Sequence, residues 1–431
     1  MKNTQERPAL LGGEPVLKEP LGLIHNIGDE EVEAVTRVLR RGPLSGFHGT
    51  WNEKFFGGEE VRRFEKRFAE YFKVKHAVTF NSATTALHGA MVALSIGPGD
   101  EVIVAPYSMA CSATCVVNNG GIPIFADIDD RTFCMDPKSI RQKISKYTKA
   151  IVVVNLYGQT APMDEIMTIA KEHNLKVVED NAQSPGATYK GKFAGTIADI
   201  GIFSLNVNKV VQSGEGGILT TDNDRFALRA QLCRNHGESV IDDIPGYDAG
   251  PIFASNYRMT EVEAAIAYEQ FGKLDFFNGK KIELAEYLTA QLESIPGITT
   301  PYIPPENTHV YFSYPIKVDE KKLGMTRDLF VKAVTAEGFP MGKGYVKPIY
   351  HLKVFQEKRA FNNTHFPFEF PGYDGKPDYS KGSCPVVERM YDKELVAIFL
   401  CQYPRTTAFI DQFVFAIKKV LAHKEELMEL T

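Results

Sequence analysis

Four short stretches of this chain carry residue types that can do chemistry. The first is Phe203-Ser204-Leu205-Asn206-Val207-Asn208-Lys209, followed by Gly214-Glu215-Gly216-Gly217. A lysine at the end of an apolar run and beside a glycine-rich turn can sit in a dry cleft, where its amine is partly neutral and nucleophilic. The plain alternative is a solvated loop lysine. The second is Glu179-Asp180-Asn181-Ala182-Gln183. A carboxylate placed there can keep a pyridine nitrogen protonated, as a pyridoxal electron sink requires, or it can simply cap a helix. The third, Asn81-Ser82-Ala83-Thr84-Thr85, puts small residues and hydroxyls at a helix opening. Free N–H groups there suit a phosphate, although a hydroxyl N-cap alone explains the same residues. The fourth, Asn256-Tyr257-Arg258-Met259-Thr260, precedes an alanine-rich helix and reads equally well as a helix start with a surface arginine.

The surrounding pattern decides whether these stretches can meet. Apolar runs at 77–80, 101–105, 122–128, 150–156, 176–179, 200–205 and 217–221 are mostly continuous in Val and Ile, as in strands covered on both faces. Helical stretches near 83–95, 109–118, 137–145 and 163–173 separate the first five, which is the rhythm of a mainly parallel α/β sheet. The last two runs lack an intervening helix, so the sheet is expected to be mixed. Ligands of such sheets collect at the carboxyl ends of the strands, and the clusters around Ser82, Asp180 and Lys209 all follow strands. Two helices open the chain, near Asp29 and around Val61–Tyr71, with a glycine- and aromatic-rich loop at 43–58 between them. A helix entry and helix follow at 255–276, and another helix at 280–294. Beyond Gly297 a smaller α+β region is expected: an extended run at 310–318, a helix at 326–337, a long surface excursion at 360–384 and a closing helix near 409–427.

Composition sets limits. With 431 residues the chain can bury a large core, and a net charge of −5 gives no pull toward nucleic acid or anionic membrane. No apolar stretch is long enough to span a membrane, and residues 1–20 form neither signal peptide nor anchor. The six scattered cysteines read as reduced thiols, and Cys111 and Cys115 lack partners for a metal set. The expectation is a soluble, cytoplasmic protein without a metal.

The order and spacing of the four stretches resemble the sugar aminotransferases of the DegT/DnrJ/EryC1/StrS family. The resemblance runs from about Gly12 to the C-terminus. It is carried by the Ser-Ala-Thr turn, Gly-Pro-Gly-Asp-Glu-Val-Ile-Val at 97–104, Glu-Asp-Asn-Ala-Gln, Phe-Ser-x4-Lys, Gly-Glu-Gly-Gly and Asn-Tyr-Arg-Met. It implies the type I, aspartate aminotransferase-like fold: an α/β large domain with a mainly parallel, mixed seven-stranded sheet and a smaller C-terminal α+β domain. Residues 1–20 would be an extended segment, 21–280 the large domain and 281–431 the small one.

The resemblance also implies roles. The cofactor would be pyridoxal 5'-phosphate, its phosphate held by Ala83, Thr84 and Ser204, its ring nitrogen by Asp180 and its 3-oxygen near Gln183. Lys209 would carry the covalent link. Asn256 would reach the phosphate in a neighbouring subunit, which makes the active unit a homodimer. Members usually stack an aromatic ring on the cofactor; here that place holds Met109, a departure, although a thioether can cover a ring face. Tyr345, Lys347 and His351, with the loop 44–58, would wall the acceptor site.

Glutamate or glutamine would give the amino group. The acceptor would be a keto sugar, nucleotide-linked, or a free keto-cyclitol, in amino-sugar or aminocyclitol biosynthesis. Two other functions are open: a sugar dehydratase, whose relatives replace the lysine by histidine, and a non-catalytic sugar-nucleotide-binding relative.

Overall fold

In the computed structural model, residues 6–22, 24–248 and 250–430 are described. The strands are β1 (His76–Phe80), β2 (Glu101–Val104), β3 (Ile122–Phe125), β4 (Thr148–Val154), β5 (Lys176–Asp180), a hairpin of β6 (Thr188–Tyr189) and β7 (Lys192–Phe193), then β8 (Ile200–Ser204) and β9 (Gly217–Thr221). Apart from the hairpin they form one seven-stranded sheet in the order β1-β9-β8-β5-β4-β2-β3. β9 is antiparallel to both its neighbours, and the pairs from β8 to β3 are parallel. The expected mixed sheet is therefore present, with β9 as its one reversed strand. Burial explains the composition: in β4, Thr-Lys-Ala-Ile-Val-Val-Val, every residue but Lys149 is buried.

Nine helices of this region are α1 (Asp29–Arg41), α2 (Glu59–Phe72), α3 (Ala83–Ala93), α4 (Cys111–Asn118), α5 (Pro137–Lys143), α6 (Met163–Glu172), α7 (Asp224–Arg234), α8 (Glu261–Phe271) and α9 (Leu274–Leu292). α3 carries no charged residue and is buried on most sides, as expected of a helix enclosed between the sheet and α7. A second sheet, β10 (Ile298–Thr299), β11 (Tyr314–Val318), β12 (Gly342–Lys343) and β13 (Leu395–Ile398), has the order β10-β11-β13-β12 and is antiparallel throughout. Its apolar core includes Leu284, Leu288 and Leu292 of α9, together with the helices Arg327–Ala336 and Thr407–Ala422. α9 thus starts on one core through Leu274 and Phe277 and ends in another. The N-terminal segment is strapped to the second core. Leu10, Leu11 and Leu17 pack on it, and the Glu337 carboxylate accepts from the N–H groups of Ala9 and Val16 while pairing with Lys419.

Two expectations need correction. The run 310–318 is not one strand: Tyr311 has φ +50, and pairing begins only at Tyr314. Residues 360–384 are not simply a surface excursion. Phe368, Tyr373, Tyr379 and Cys384 are buried, because their rings pack beside β2 and β3 and their hydroxyls find partners there. Tyr373 donates to the Glu101 carboxylate at 2.6 Å and Tyr379 to the Pro123 carbonyl at 2.8 Å. Proline and glycine between the rings had marked the stretch as loop; the aromatic spacing follows no helical or strand period.

Candidate active site

Strand order brings the sequence clusters to one edge of the large sheet. Gly217 pairs with both Phe80 and Ser204, so the turn after β1 lies beside the end of β8. Asp180, at the end of the next strand, pairs with Ile202.

The turn after β1 opens α3. Ser82 Oγ accepts from the Thr85 N–H at 3.1 Å, and Thr85 Oγ1 donates to Asn81 Oδ1 at 2.7 Å. The N–H groups of Ala83 and Thr84 have no acceptor among the described residues. Two unsatisfied donors at the positive end of an eleven-residue helix form an anion cradle. The Thr84 side chain is exposed beside them. The hydroxyl of Ser204 accepts from the Asn206 N–H at 3.3 Å and keeps its proton for another partner.

Gly217 makes this cradle possible. A Cβ at that position would stand 2.4 Å from the Ala83 nitrogen and 2.4 Å from the Ser82 carbonyl carbon. Gly217→Ala is expected to push the α3 N-terminus off β9 and weaken phosphate-dependent cofactor binding by tenfold or more (about 1.4 kcal/mol or more). Titration of the purified variant with cofactor, followed by absorbance, checks this; affinity within about twofold of the parent would count against it.

β5 splits its terminal residues between two jobs by strand alternation. Glu179, buried, accepts from the N–H groups of Gly195, Ile197 and Ala198 and from Asn155 Nδ2. Asn181 donates to the carbonyls of Ser184 and Ala194. These two fix the loop between β5 and β8. Asp180 points the other way: its Oδ2 accepts from Ser112 Oγ at 2.7 Å and its Oδ1 from the Ala182 N–H at 3.2 Å. Burial pushes its carboxyl above the ordinary value, while Ser112, Ala182 and the charge of Lys209 oppose that shift. Gln183 Oε1 accepts from the Tyr157 N–H at 2.8 Å, and its Nε2 donates to the Tyr345 hydroxyl at 3.1 Å. Tyr345 in turn donates its N–H to Tyr107 Oη at 2.8 Å, and burial pushes the Tyr345 hydroxyl up to about 12.

Lys209 is half-buried, with Nζ 4.4 Å from the centre of the Phe312 ring. Burial lowers its ammonium below the ordinary lysine value; the negative forms of Asp180 and Cys111 act against this. Cys111 has its thiol pushed up to about 11, chiefly by burial.

Asp180, Gln183, Ser204, Lys209, the Ala83-Thr84 turn and Tyr345 are thus linked through neighbouring strand ends and shared contacts. Met109 is 53% exposed at the start of α4, its carbonyl accepting from the Ser112 N–H. Asn256 is exposed, and its Oδ1 accepts from Arg258 Nε at 2.8 Å; among the described residues it has no hydrogen bond to Lys209, Asp180 or Ser204. Lys347 is exposed. His351 lies with Nε2 3.5 Å from a Glu388 carboxylate oxygen and its ring against Tyr350, away from the linked group. Ser112, Tyr107, Tyr157 and Phe312 were not singled out in the sequence. Ser112 reads as an ordinary helix-start hydroxyl, and Phe312 comes from a distant segment with no motif around it.

These residues fit pyridoxal 5'-phosphate. The free N–H pair suits a phosphate, the buried carboxylate a ring nitrogen, and the partly desolvated lysine an aldehyde.

Known proteins agree. The profile of the DegT/DnrJ/EryC1/StrS aminotransferase family matches residues 26–369. The chain is 39% identical over 295 residues to the GDP-perosamine synthase of Caulobacter vibrioides, covering 68% of this chain and 77% of that one. It is 35% identical over 350 residues to the L-glutamine:2-deoxy-scyllo-inosose aminotransferase of Streptomyces kanamyceticus, covering 79% and 80%. The solved structure of the aminotransferase from Psychrobacter cryohalolentis is similar with a TM-score of 0.79 at 31% identity, over 94% of this chain and 99% of that chain. The fold is that of pyridoxal-phosphate-dependent aminotransferases. No helix among the described residues is long and apolar enough to cross a membrane. By the extent of these matches and by the cofactor its site fits, the chain belongs to the DegT/DnrJ/EryC1/StrS aminotransferase family and is a pyridoxal-phosphate enzyme.

Proposed function

We propose that this chain transfers an amino group from glutamate or glutamine to the ketone of a nucleotide-linked sugar or of a cyclitol. The observation that carries this is the meeting of Lys209, Asp180 and the free N–H pair of α3 at one sheet edge. The choice of acceptor rests on the relatives, one named for a nucleotide-linked sugar and one for an inosose. Lysine at 209, where dehydratases of the family carry histidine, favours amino transfer over dehydration.

When bound, pyridoxal phosphate supplies an electron sink for the pair left when the donor's α-proton departs. The chain's residues do the rest. Ala83, Thr84 and Ser204 would hold the phosphate. Asp180, oriented by Ser112, would keep the ring nitrogen protonated. Gln183, itself fixed by Tyr157 and Tyr345, would serve the 3-oxygen. Lys209 would carry the covalent link, and its amine, once free, would be the base that takes the donor's α-proton and, in the reverse half of the transfer, returns a proton to the acceptor carbon. Met109 would cover the ring and Tyr345 the mouth of the site; Lys347 and His351, on the same segment as Tyr345, would be acceptor contacts.

We take the active unit to be a homodimer. The support is the outward placement of Asn256 and the exposed apolar side chains of Phe253, Val207 and Met109, of which Phe253 is 88% exposed. We also take residues 21–280 as the cofactor-binding domain and 281–431 as the smaller one, supported by the two apolar cores that α9 joins. Residues 349–390 return to pack on the larger core. Free thiols suit a cytoplasmic setting.

Offering the purified protein glutamate and glutamine against a keto-sugar nucleotide and an inosose tests the acceptor. Amination of one acceptor class is expected. Amination of neither would overturn the acceptor assignment.

A further inference from the structure

The loop that carries Lys209, residues 205–216, is tied mostly to itself. The N–H groups of Leu205, Val207 and Ser213 donate to the carbonyls of Gly216, Gly214 and Leu205, and that of Lys209 to Asn206. Asn206 Nδ2 donates to the Glu215 carboxylate at 3.0 Å across the same loop. Leu205, Val210 and Val211 sink into the apolar cluster around Phe64 and Phe203. Apolar burial is non-directional, so it holds the back of the loop without setting the angle at which Lys209 leaves it. Among the described residues, one hydrogen bond joins this loop to anything but the two strands it connects: Gln212 Nε2 donates to Asn26 Oδ1 at 3.0 Å. The Gln212 amide is oriented for that bond, because its Oε1 accepts from the Gly214 N–H at 3.3 Å.

Asn26 is held from behind by a buried polar set. Its carbonyl accepts from Gln270 Nε2 at 2.8 Å, and the same nitrogen donates to Glu31 Oε1 at 2.9 Å. The other Glu31 oxygen accepts from the Gly28 N–H at 2.7 Å and from Lys273 Nζ at 2.9 Å. Gln270 and Glu31 are 0% and 1% exposed. Burying an amide and a carboxylate is costly unless their partners stay in place, so this set fixes the backbone at 26–28 together with the start of α1. A surface asparagine that met Gln212 by chance would need none of it.

We propose that Asn26 and Gln212 are positioning residues for Lys209: their hydrogen bond fixes the tip of the loop and so holds the Lys209 amine in the orientation from which it forms its covalent link. The free N–H pair of Ala83 and Thr84 and the Asp180 carboxylate lie on other elements and do not depend on this bond. Its loss should therefore slow link formation and leave phosphate and ring binding intact. A misplacement of about 1 Å at a reacting group costs on the order of 10^2-fold in rate. The loop keeps its internal bonds, so a smaller loss of about tenfold is expected.

The inference rests on Lys209 being the cofactor-linked lysine, and the two claims fail separately. Full-length protein freed of cofactor is mixed with pyridoxal phosphate. The Lys209 amine and the aldehyde condense to a C=N bond with release of water. Borohydride, added at timed intervals, reduces that bond by giving hydride to the carbon while water protonates the nitrogen. Peptide mass spectrometry then counts the labelled Lys209. Affinity for pyridoxamine phosphate, which has no aldehyde, is measured alongside. Asn26→Ala and Gln212→Ala should each slow labelling by about tenfold and keep that affinity within about threefold of the parent. The double variant should be no slower than either single one, as for two residues acting through one bond. Asn26→Asp, which keeps an acceptor for Gln212 Nε2, should recover most of the rate. Labelling within about twofold of the parent in both single variants, additive slowing in the double variant, or a parallel loss of pyridoxamine phosphate affinity would each overturn the proposal. A label in the parent on a lysine other than 209 would instead remove the assignment on which the proposal stands.

Discussion

Replacing Lys209 by alanine is expected to lower amino transfer by about 10^3-fold or more while leaving the fold and much of the cofactor affinity in place. The two losses should separate because, in the proposed arrangement, the phosphate and ring contacts come from other residues: the N–H groups of Ala83 and Thr84, the Ser204 hydroxyl and the Asp180 carboxylate. What disappears is the covalent link and the base that moves the proton. Among the described residues Lys209 makes no side-chain hydrogen bond or ion pair that holds the fold; its Nζ lies 4.4 Å from the centre of the Phe312 ring. Truncation removes the positive charge that acts on the buried Asp180 carboxylate, a charge that a protonated ring nitrogen would replace when cofactor is bound. A small amine added to the variant should restore part of the proton transfer, since only the base is missing. Single-turnover absorbance with the amino donor checks both points. Wild-type turnover in Lys209→Ala would remove the lysine from the chemistry, and cofactor loss without any rescue would make its role structural.

Asp180→Asn comes second in expected size, with a fall on the order of 10^2- to 10^3-fold. The side chains have nearly the same shape, and an asparagine oxygen can still accept from Ser112 Oγ, which now donates at 2.7 Å. What the amide lacks is the negative charge, buried at 4% exposure, that keeps a ring nitrogen protonated. The protein should melt close to the parent temperature and bind cofactor more weakly, with kcat falling more than cofactor affinity. Ser112→Ala should follow in the same direction by a smaller amount, because it only orients the carboxylate. Steady-state kinetics at saturating cofactor distinguishes these outcomes. An Asp180→Asn enzyme within about fivefold of the parent rate would show that the carboxylate is not the ring partner.

Much of this was legible in the chain before any coordinate. The Val- and Ile-rich runs marked all seven strands of the large sheet, and the missing helix between residues 205 and 217 foretold the reversed strand. The phosphate turn, Asp180 and Lys209 were readable because each is local: a strand end and the few residues after it. The rest depends on chain segments that no spacing connects. Phe312 reaches Lys209 only because Tyr311 leaves the extended conformation just before β11. Tyr345 reaches Gln183 because Gly344 and Tyr345 turn back over Tyr107. The 360–384 stretch was misjudged because its buried aromatics sit between prolines and glycines, so packing against β2 and β3 replaces secondary structure as the organising force.

Reduction of the holoenzyme with borohydride, followed by digestion and peptide mass spectrometry, tests the central claim most directly. The yellow cofactor should bleach, and one phosphopyridoxyl group should appear on the peptide containing Lys209 and on no other. A label on another lysine, or a protein that carries no reducible cofactor, would contradict it.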